Sequence, residues 1–251
     1  MRSAARAIQS VPVNHPTAQE RLIVALDVPT VARASDIVTR LGGAVSTYKI
    51  GPHLQFASGM VEFATDLVQR QNKRLFLDFK SVDIGDTIEI AVNVAKELGT
   101  KFITVYGTAS VIRAAVKARG NSEFPKVLVI TLLTDHSEAD MQKEYDTNDS
   151  LQTFIEKRTN MVISAGGDGV ICSPLEVAQI RDIAGQNFLI VTPGIRPTWW
   201  PGNGHKRFGT PEQSIAAGAD YLVVGRPIVQ TNDPADSANR IIQEIEQSQL
   251  A

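Results

Sequence analysis

The chain has one cysteine in 251 residues, only 6% aromatic residues, and no excess of charge of either sign, with 25 Lys and Arg against 27 Asp and Glu. A single cysteine, Cys172, cannot form an internal disulfide. Its place inside the apolar run 169–172 suits a buried core thiol better than a nucleophile, which needs an accessible thiolate. A formal net charge of -2 and the lack of a long basic run argue against a nucleic-acid or membrane-surface partner, whose footprint is clustered Lys and Arg. No apolar stretch approaches the roughly 20 residues that a transmembrane helix needs, so a soluble, cytoplasmic protein with a small ligand is expected. Residues 1–19 carry Arg2 and Arg6, no acidic residue and no apolar run of the secretory kind. They read as an N-terminal extension, which leaves 20–251 as one domain.

What the chain does have is a repeated alternation. Aliphatic and β-branched runs at 21–26, 45–50, 74–79, 102–105, 126–132, 169–172, 188–192 and 221–224 predict eight strands. Helical spacing occupies 31–41, 61–69, 84–98, 155–164, 175–183 and 235–246. Strands alternating with helices in this number predict a single-domain α/β protein, a (βα)8 TIM barrel. The competing open sheet requires a glycine-rich turn after the first strand, where this chain has Asp27-Val28-Pro29-Thr30.

In such a barrel chemistry collects at the carboxyl ends of the strands, and here those ends are charged. The first run closes on Asp27, the second carries Lys49, and the third carries Asp78 and Lys80. Strand side chains alternate faces, so Asp78 and Lys80 are expected to share a face, with Asp27 and Lys49 at corresponding heights on the two preceding strands. Taken singly, Asp27 reads as a helix cap and Lys49 as a strand-end lysine whose head reaches solvent. Together they predict a catalytic quadrant, because alternating ionisable groups on successive strands are a costly arrangement to keep for structure alone. Asp83 falls beyond the strand, in a loop or at the start of the next helix.

The second half ends its strands differently. Thr192-Pro193-Gly194-Ile195-Arg196-Pro197 closes the seventh run and Val224-Gly225-Arg226-Pro227 the eighth. Glycine lets backbone N–H groups approach an anion and arginine offers a planar fork of donors, so the pair of loops predicts a phosphate site. Between them, 199–205 contains Trp199, Trp200 and His205 and is expected to form a lid.

At this point the residues match a family. Asp78-Phe79-Lys80-Ser81-Val82-Asp83-Ile84 resembles the D-x-K-x-x-D-I signature of orotidine 5′-monophosphate decarboxylases, and Leu26-Asp27-Val28-Pro29, Tyr48-Lys49-Ile50-Gly51, Leu132-Leu133-Thr134, the Pro193-Gly194-Ile195-Arg196 loop and Gly225-Arg226-Pro227 resemble its other motifs in order. The resemblance runs from about residue 20 to the end. It implies cofactor-free, metal-free conversion of orotidine 5′-monophosphate to UMP and CO2, with Asp78, Lys80, Asp83 and Lys49 as catalytic groups. It further implies that Lys80 delivers the proton replacing CO2 and that Asp27 and Lys49 bind the ribose. Thr134 would contact the pyrimidine, while Arg226, Gly225 and Arg196 would hold the phosphate. His205 stands where bacterial members present glutamine. Asp83 and Thr87 would reach into the neighbouring site of a homodimer. The chain departs from the family at Gly85-Asp86 and at Tyr106, where histidine is common. Two alternatives stand beside this reading: a silent nucleotide-binding paralogue, and a metal-dependent sugar-phosphate enzyme, which Lys49 argues against by occupying a metal-ligand position.

Overall fold

Eight short parallel strands close on one another in chain order, so no strand keeps an unpaired edge. The computed structural model describes residues 16–200 and 207–248. The first half contains α1 (Ala18–Arg21), β1 (Leu22–Ala25), α2 (Val31–Leu41), β2 (Thr47–Ile50), α3 (Pro52–Gln55), α4 (Met60–Gln69), β3 (Arg74–Ser81), α5 (Gly85–Glu97), β4 (Phe102–Val105) and α6 (Ala109–Arg119). The second contains β5 (Lys126–Ile130), α7 (Glu138–Glu144), α8 (Leu151–Ser164), β6 (Gly169–Ile171), α9 (Val177–Ala184), β7 (Leu189–Thr192), α10 (Pro211–Ala216), β8 (Tyr221–Val224), α11 (Arg226–Val229) and α12 (Pro234–Ser248). All eight expected strands form, and the (βα)8 barrel is the fold.

Alternation divides the apolar residues into two cores. Inward-facing Ile23, Phe76, Phe102, Leu128, Val191 and Tyr221 fill the barrel, where Phe102 meets Phe76 and Tyr221 edge to face at ring-centroid distances of 5.7 and 5.0 Å. The outward-facing residues pack under the helices. In α2 this face is Ala34, Ile37, Val38 and Leu41, the spacing that puts side chains on one stripe. Cys172 belongs to this outer core and is fully buried. Several short helices escape the sequence pattern. The apolar face of α6 is largely alanine and valine, and α3 and α11 are single turns set by the prolines at their starts.

The register carries the main departure from simple alternation. Lys49 pairs with Ala25 on one side and with Phe76 on the other, so Asp27 and Asp78 each lie two residues further along their strands. The expected equal height of Asp27 and Lys49 is therefore corrected: the lysine sits a layer deeper and reaches up between the two carboxylates. Pairing of β3 with β4 shifts between Leu77 and Ser81, and within that irregularity Lys80 takes φ +53, a left-handed conformation that non-glycine residues rarely adopt.

Gly169 opens β6 where the strands leave no room, since an added Cβ would stand 2.2 Å from the Leu189 carbonyl oxygen and 2.6 Å from the Leu189 Cβ. Gly169→Ala is expected to cost at least about 1–3 kcal/mol as overpacking. Thermal unfolding should show a midpoint lower by several degrees, at roughly 2–4 °C per kcal/mol for a chain of this size; an unchanged midpoint would contradict the packing described.

Candidate active site

At the carboxyl end of the barrel the first three strands deliver an alternating chain of charges. Lys49 Nζ lies 3.0 Å from Asp27 Oδ1 and 3.2 Å from Asp78 Oδ2, and Lys80 Nζ donates to the same Oδ2 at 3.0 Å. The other oxygen of Asp78 accepts from Thr104 Oγ1 at 2.9 Å. Asp78 is thus saturated on both oxygens while buried, which fixes its orientation. Burial by itself pulls Lys49 down, but the Asp78 and Asp27 carboxylates outweigh it and hold its pKa above the ordinary lysine value. Gly51 is needed for this arrangement, because a Cβ there would stand 2.9 Å from Lys49 Nζ and 3.3 Å from Asp27 Oδ1.

The seventh and eighth strand ends close the other side. Arg196 donates from Nη1 to the Ile195 carbonyl at 2.7 Å, while its buried Nη2 has no hydrogen-bond partner among the described residues. Burial first, and then the charge of Arg226, lowers its pKa. Gly225 caps α11, and a Cβ on it would approach Ala25 Cβ at 3.6 Å and Asp27 Oδ2 at 3.9 Å, so the arginine end and the carboxylate end are contiguous.

Asp27, Lys49, Asp78, Lys80, Thr134, Arg196, Gly225 and Arg226 all line one cavity of about 750 Å3, whose remaining wall includes Ile130, Leu132, Ile171 and Val223. The structure thus brings together eight of the residues predicted from the sequence. Asp83 and Thr87 are not among them. Both are exposed, and Asp83 Oδ1 accepts from the Ile84 N–H at 2.7 Å. His205 lies outside the described residues. Trp199, expected over the ligand, is instead held on α12: its Nε1 donates to Glu244 Oε1 at 2.8 Å and its ring lies 4.0 Å from the Arg240 guanidinium carbon. Tyr106 is hydrogen-bonded to the Tyr145 hydroxyl. Cys172 is inert, with burial raising its pKa well above the usual thiol value.

Two site residues escaped the sequence reading. Thr104 carries no signal except its period-two spacing from Phe102, which puts it on the inner face of β4. His53, with Nδ1 4.0 Å from Asp27 Oδ1, enters from α3, a turn too short to predict by periodicity. Among the described residues no three His, Cys, Asp or Glu side chains gather in a way that would hold a metal ion.

Apolar walls, an ordered row of carboxylates and ammoniums, and an arginine pair at the opposite rim define a (βα)8-barrel enzyme for a small anionic substrate. The sequence of the Orotidine 5′-phosphate decarboxylase / HUMPS family matches residues 20–241, and the chain belongs to that family. It is 40% identical over 233 residues to an orotidine 5′-phosphate decarboxylase of Rhodopseudomonas palustris, covering 93% of this chain and 97% of the relative. It is 44% identical over 227 residues to the enzyme of that name from Afipia carboxidovorans, covering 90% and 95%. The crystal structure of orotidine 5′-phosphate decarboxylase from Lactobacillus acidophilus superposes with a TM-score of 0.78 at 31% identity, covering 90% of this chain and 99% of that one. The chain is accordingly a carboxy-lyase.

Lys49→Met tests the charge chain directly. It leaves Asp27 and Asp78 facing each other without the intervening cation, and losing one member of a buried ionic cluster should cost about 3 kcal/mol near neutral pH. The raised pKa of Lys49 means that its contribution is kept below the ordinary lysine value of about 10.4 and is lost only as pH rises beyond it. Thermal unfolding midpoints of both proteins near neutral pH would check the deficit; equal midpoints would mean that the cation between the two carboxylates contributes no stability.

Proposed function

We propose that this protein decarboxylates orotidine 5′-monophosphate to UMP and CO2, the last step of de novo pyrimidine synthesis, without a cofactor or metal. The observation that carries the reading is the row Asp27, Lys49, Asp78, Lys80 in one half-enclosed cavity. When the C6–carboxylate bond breaks, its electron pair stays on C6 in the plane of the ring, where the π system gives little relief. A fixed ammonium supplies what the ring does not. At an effective dielectric of ~20 a charge contact at ~4 Å is worth ~4 kcal/mol, against ~1 kcal/mol in bulk water. Lys80 then donates a proton from Nζ to C6 and is reprotonated from solvent. Asp78 orients Lys80, and Lys49 keeps Asp78 and Asp27 in register, the latter toward the ribose hydroxyls. Preorganised charge of this kind needs little rearrangement during the reaction.

The rest of the substrate follows from the cavity's length. The unsatisfied Arg196 Nη2, together with Arg226 and the Gly225 backbone, suits a phosphate, and Thr134 faces the pyrimidine. Binding energy from the phosphate contributes to a barrier that no single charge contact removes.

Asp83 and Thr87 act in a second subunit. Thr87 lies on the same face of α5 as Ile90 and Val94, which are 66% and 58% exposed, and Asp83 stands in the loop before that helix, between Val82 and Ile84 at 63% and 72%. An exposed apolar stripe around two polar groups fits the face of a homodimer whose sites are shared. No described helix is long and apolar enough to cross a membrane. We take 20–251 as the catalytic barrel, 1–19 as an extension, and the cytoplasm as its place.

Lys80→Ala should lower kcat by at least about a thousandfold, ~4 kcal/mol, with a far smaller change in product affinity, since the contact is made chiefly in the transition state. The parent enzyme should keep full activity in a chelator. A variant within about tenfold of the parent, ~1.4 kcal/mol, would remove Lys80 from its role.

Mixing inactive Lys80→Ala with inactive Asp83→Ala protein should restore part of the activity, because subunit exchange assembles one site with both groups intact. Absence of rescue where exchange is demonstrated by mass spectrometry would put Asp83 in its own subunit's site or none.

A further inference from the structure

The loop that follows β5 borders the substrate cavity on one side and a second hollow on the other. Thr134 and Asp135 line the cavity that holds the charge row, and Asp135, His136, Asp140, Lys143 and Glu144 surround the second, of about 440 Å3. His136 stands between the loop and α7. Its backbone N–H donates to the Leu133 carbonyl at 3.2 Å, which turns the loop back on itself. Its side chain is mostly buried, at 18% exposed, and each ring nitrogen meets a carboxylate. Nδ1 lies 2.9 Å from Asp135 Oδ1, and Nε2 is hydrogen-bonded to Glu144 Oε2.

We infer that His136 is a positioning residue for the reaction: as an imidazolium bridging Asp135 and Glu144, it ties the cavity wall at Thr134 and Asp135 to α7. The inference rests on the substrate assignment above. A neutral imidazole has one N–H and one lone pair, so it donates to one carboxylate only and turns its lone pair on the other. With both nitrogens facing carboxylate oxygens, the protonated ring alone satisfies both. Asp135 first, and Glu144 after it, hold the His136 pKa above the ordinary histidine value, with burial opposing them. Around the same hollow Asp140 adds negative charge and Lys143 opposes it.

The far end of the bridge is anchored by packing. Glu144 closes α7, whose Met141 is fully buried in the outer core and whose start is held by a reciprocal cap between Ser137 and Asp140. Tyr145, the next residue, places its ring 4.7 Å from that of Phe154 on α8, and Glu138 accepts from the Leu151 N–H at 2.7 Å. The base of the loop is held separately, since Arg207 Nη2 donates to the Leu133 carbonyl at 2.8 Å. His136 therefore adds a fixed point beyond that base, next to the residues that border the cavity. The two carboxylates it joins are 72% and 54% exposed, so the bridge is a modest one.

UMP binding measured by calorimetry from about pH 6 to about pH 9 tests the bridge across the histidine range, with parent and variant compared at each pH so that ionisation of the nucleotide cancels. His136→Gln, which cannot carry the charge, should bind UMP about fivefold more weakly near pH ~6, the upper range for an exposed ion pair. Because the His136 pKa is raised, the bridge is complete below the ordinary histidine value of about 6.5 and is lost as pH rises through the raised value. The two affinities should therefore converge toward alkaline pH. Glu144→Gln, which alters no residue lining the substrate cavity, should move that convergence to lower pH, and the midpoint of the His136 ring resonances followed by NMR should move with it. An affinity ratio that does not change with pH, a midpoint unmoved by Glu144→Gln, or a parent midpoint at or below about 6.5 would overturn the inference. A parent protein that binds no UMP would remove the substrate assignment as well, and would do so before either variant is made.

Discussion

The active end of this barrel depends on one shared oxygen. Asp78 Oδ2 accepts from both Lys49 and Lys80, so two ammoniums that would otherwise repel are held about one carboxylate apart. Removing that oxygen would leave like charges adjacent in a half-enclosed cavity, where repulsion is weakly screened. Asp27 repeats the arrangement on the far side of Lys49, and Thr104 locks the remaining Asp78 oxygen. Each member is thereby oriented by its neighbour, which is what a preorganised electrostatic site requires.

The rest of the fold serves that chain of charges. Aromatic packing of Phe76, Phe102 and Tyr221 fills the barrel below it, so the charged layer stands on a rigid floor. The shifted pairing of β3 and the left-handed backbone at Lys80 bring that lysine back onto Asp78 where regular alternation is interrupted. Strain at one residue is tolerable because the flanking strands over-determine its position. The two ends of the barrel then differ in kind. At the carboxyl end Lys49 is compensated by two carboxylates and its pKa is raised, whereas at the amino end Lys101 meets a phenol and two ring faces and its pKa falls.

The helix after β3 links the site to a surface. Ile88, Val92 and Ala95 bury one side of α5 against the barrel, and Thr87, Ile90 and Val94 occupy the other. Asp83 enters that outer face from the loop. A residue of the D-x-K-x-x-D-I motif is therefore separated from its motif partners by the end of the strand, and it is not among the residues that line their cavity.

The sequence by itself determined the eight strands, the barrel they form, and the identity of the charged residues at the strand ends. Strand periodicity and the β-branched runs are local properties that survive without tertiary context. It also determined the two Gly-Arg loops, because glycine and arginine at a strand end are legible as residue types without knowledge of their contacts. Only the tertiary structure decided which charges touch. The lower height of Lys49 came from inter-strand register, and the geometry of Lys80 from an irregular pairing that alternation does not foresee. Thr104 and His53 were hidden because a threonine inside a strand and a histidine in a single turn have no pattern of their own. Trp199 was read as part of a lid, yet its indole is tied to Glu244 on α12, a partner 45 residues away in the chain. Contacts of that separation depend on the closure of the barrel, which brings the last helix beside the seventh strand's loop, and no local pattern of residues encodes them.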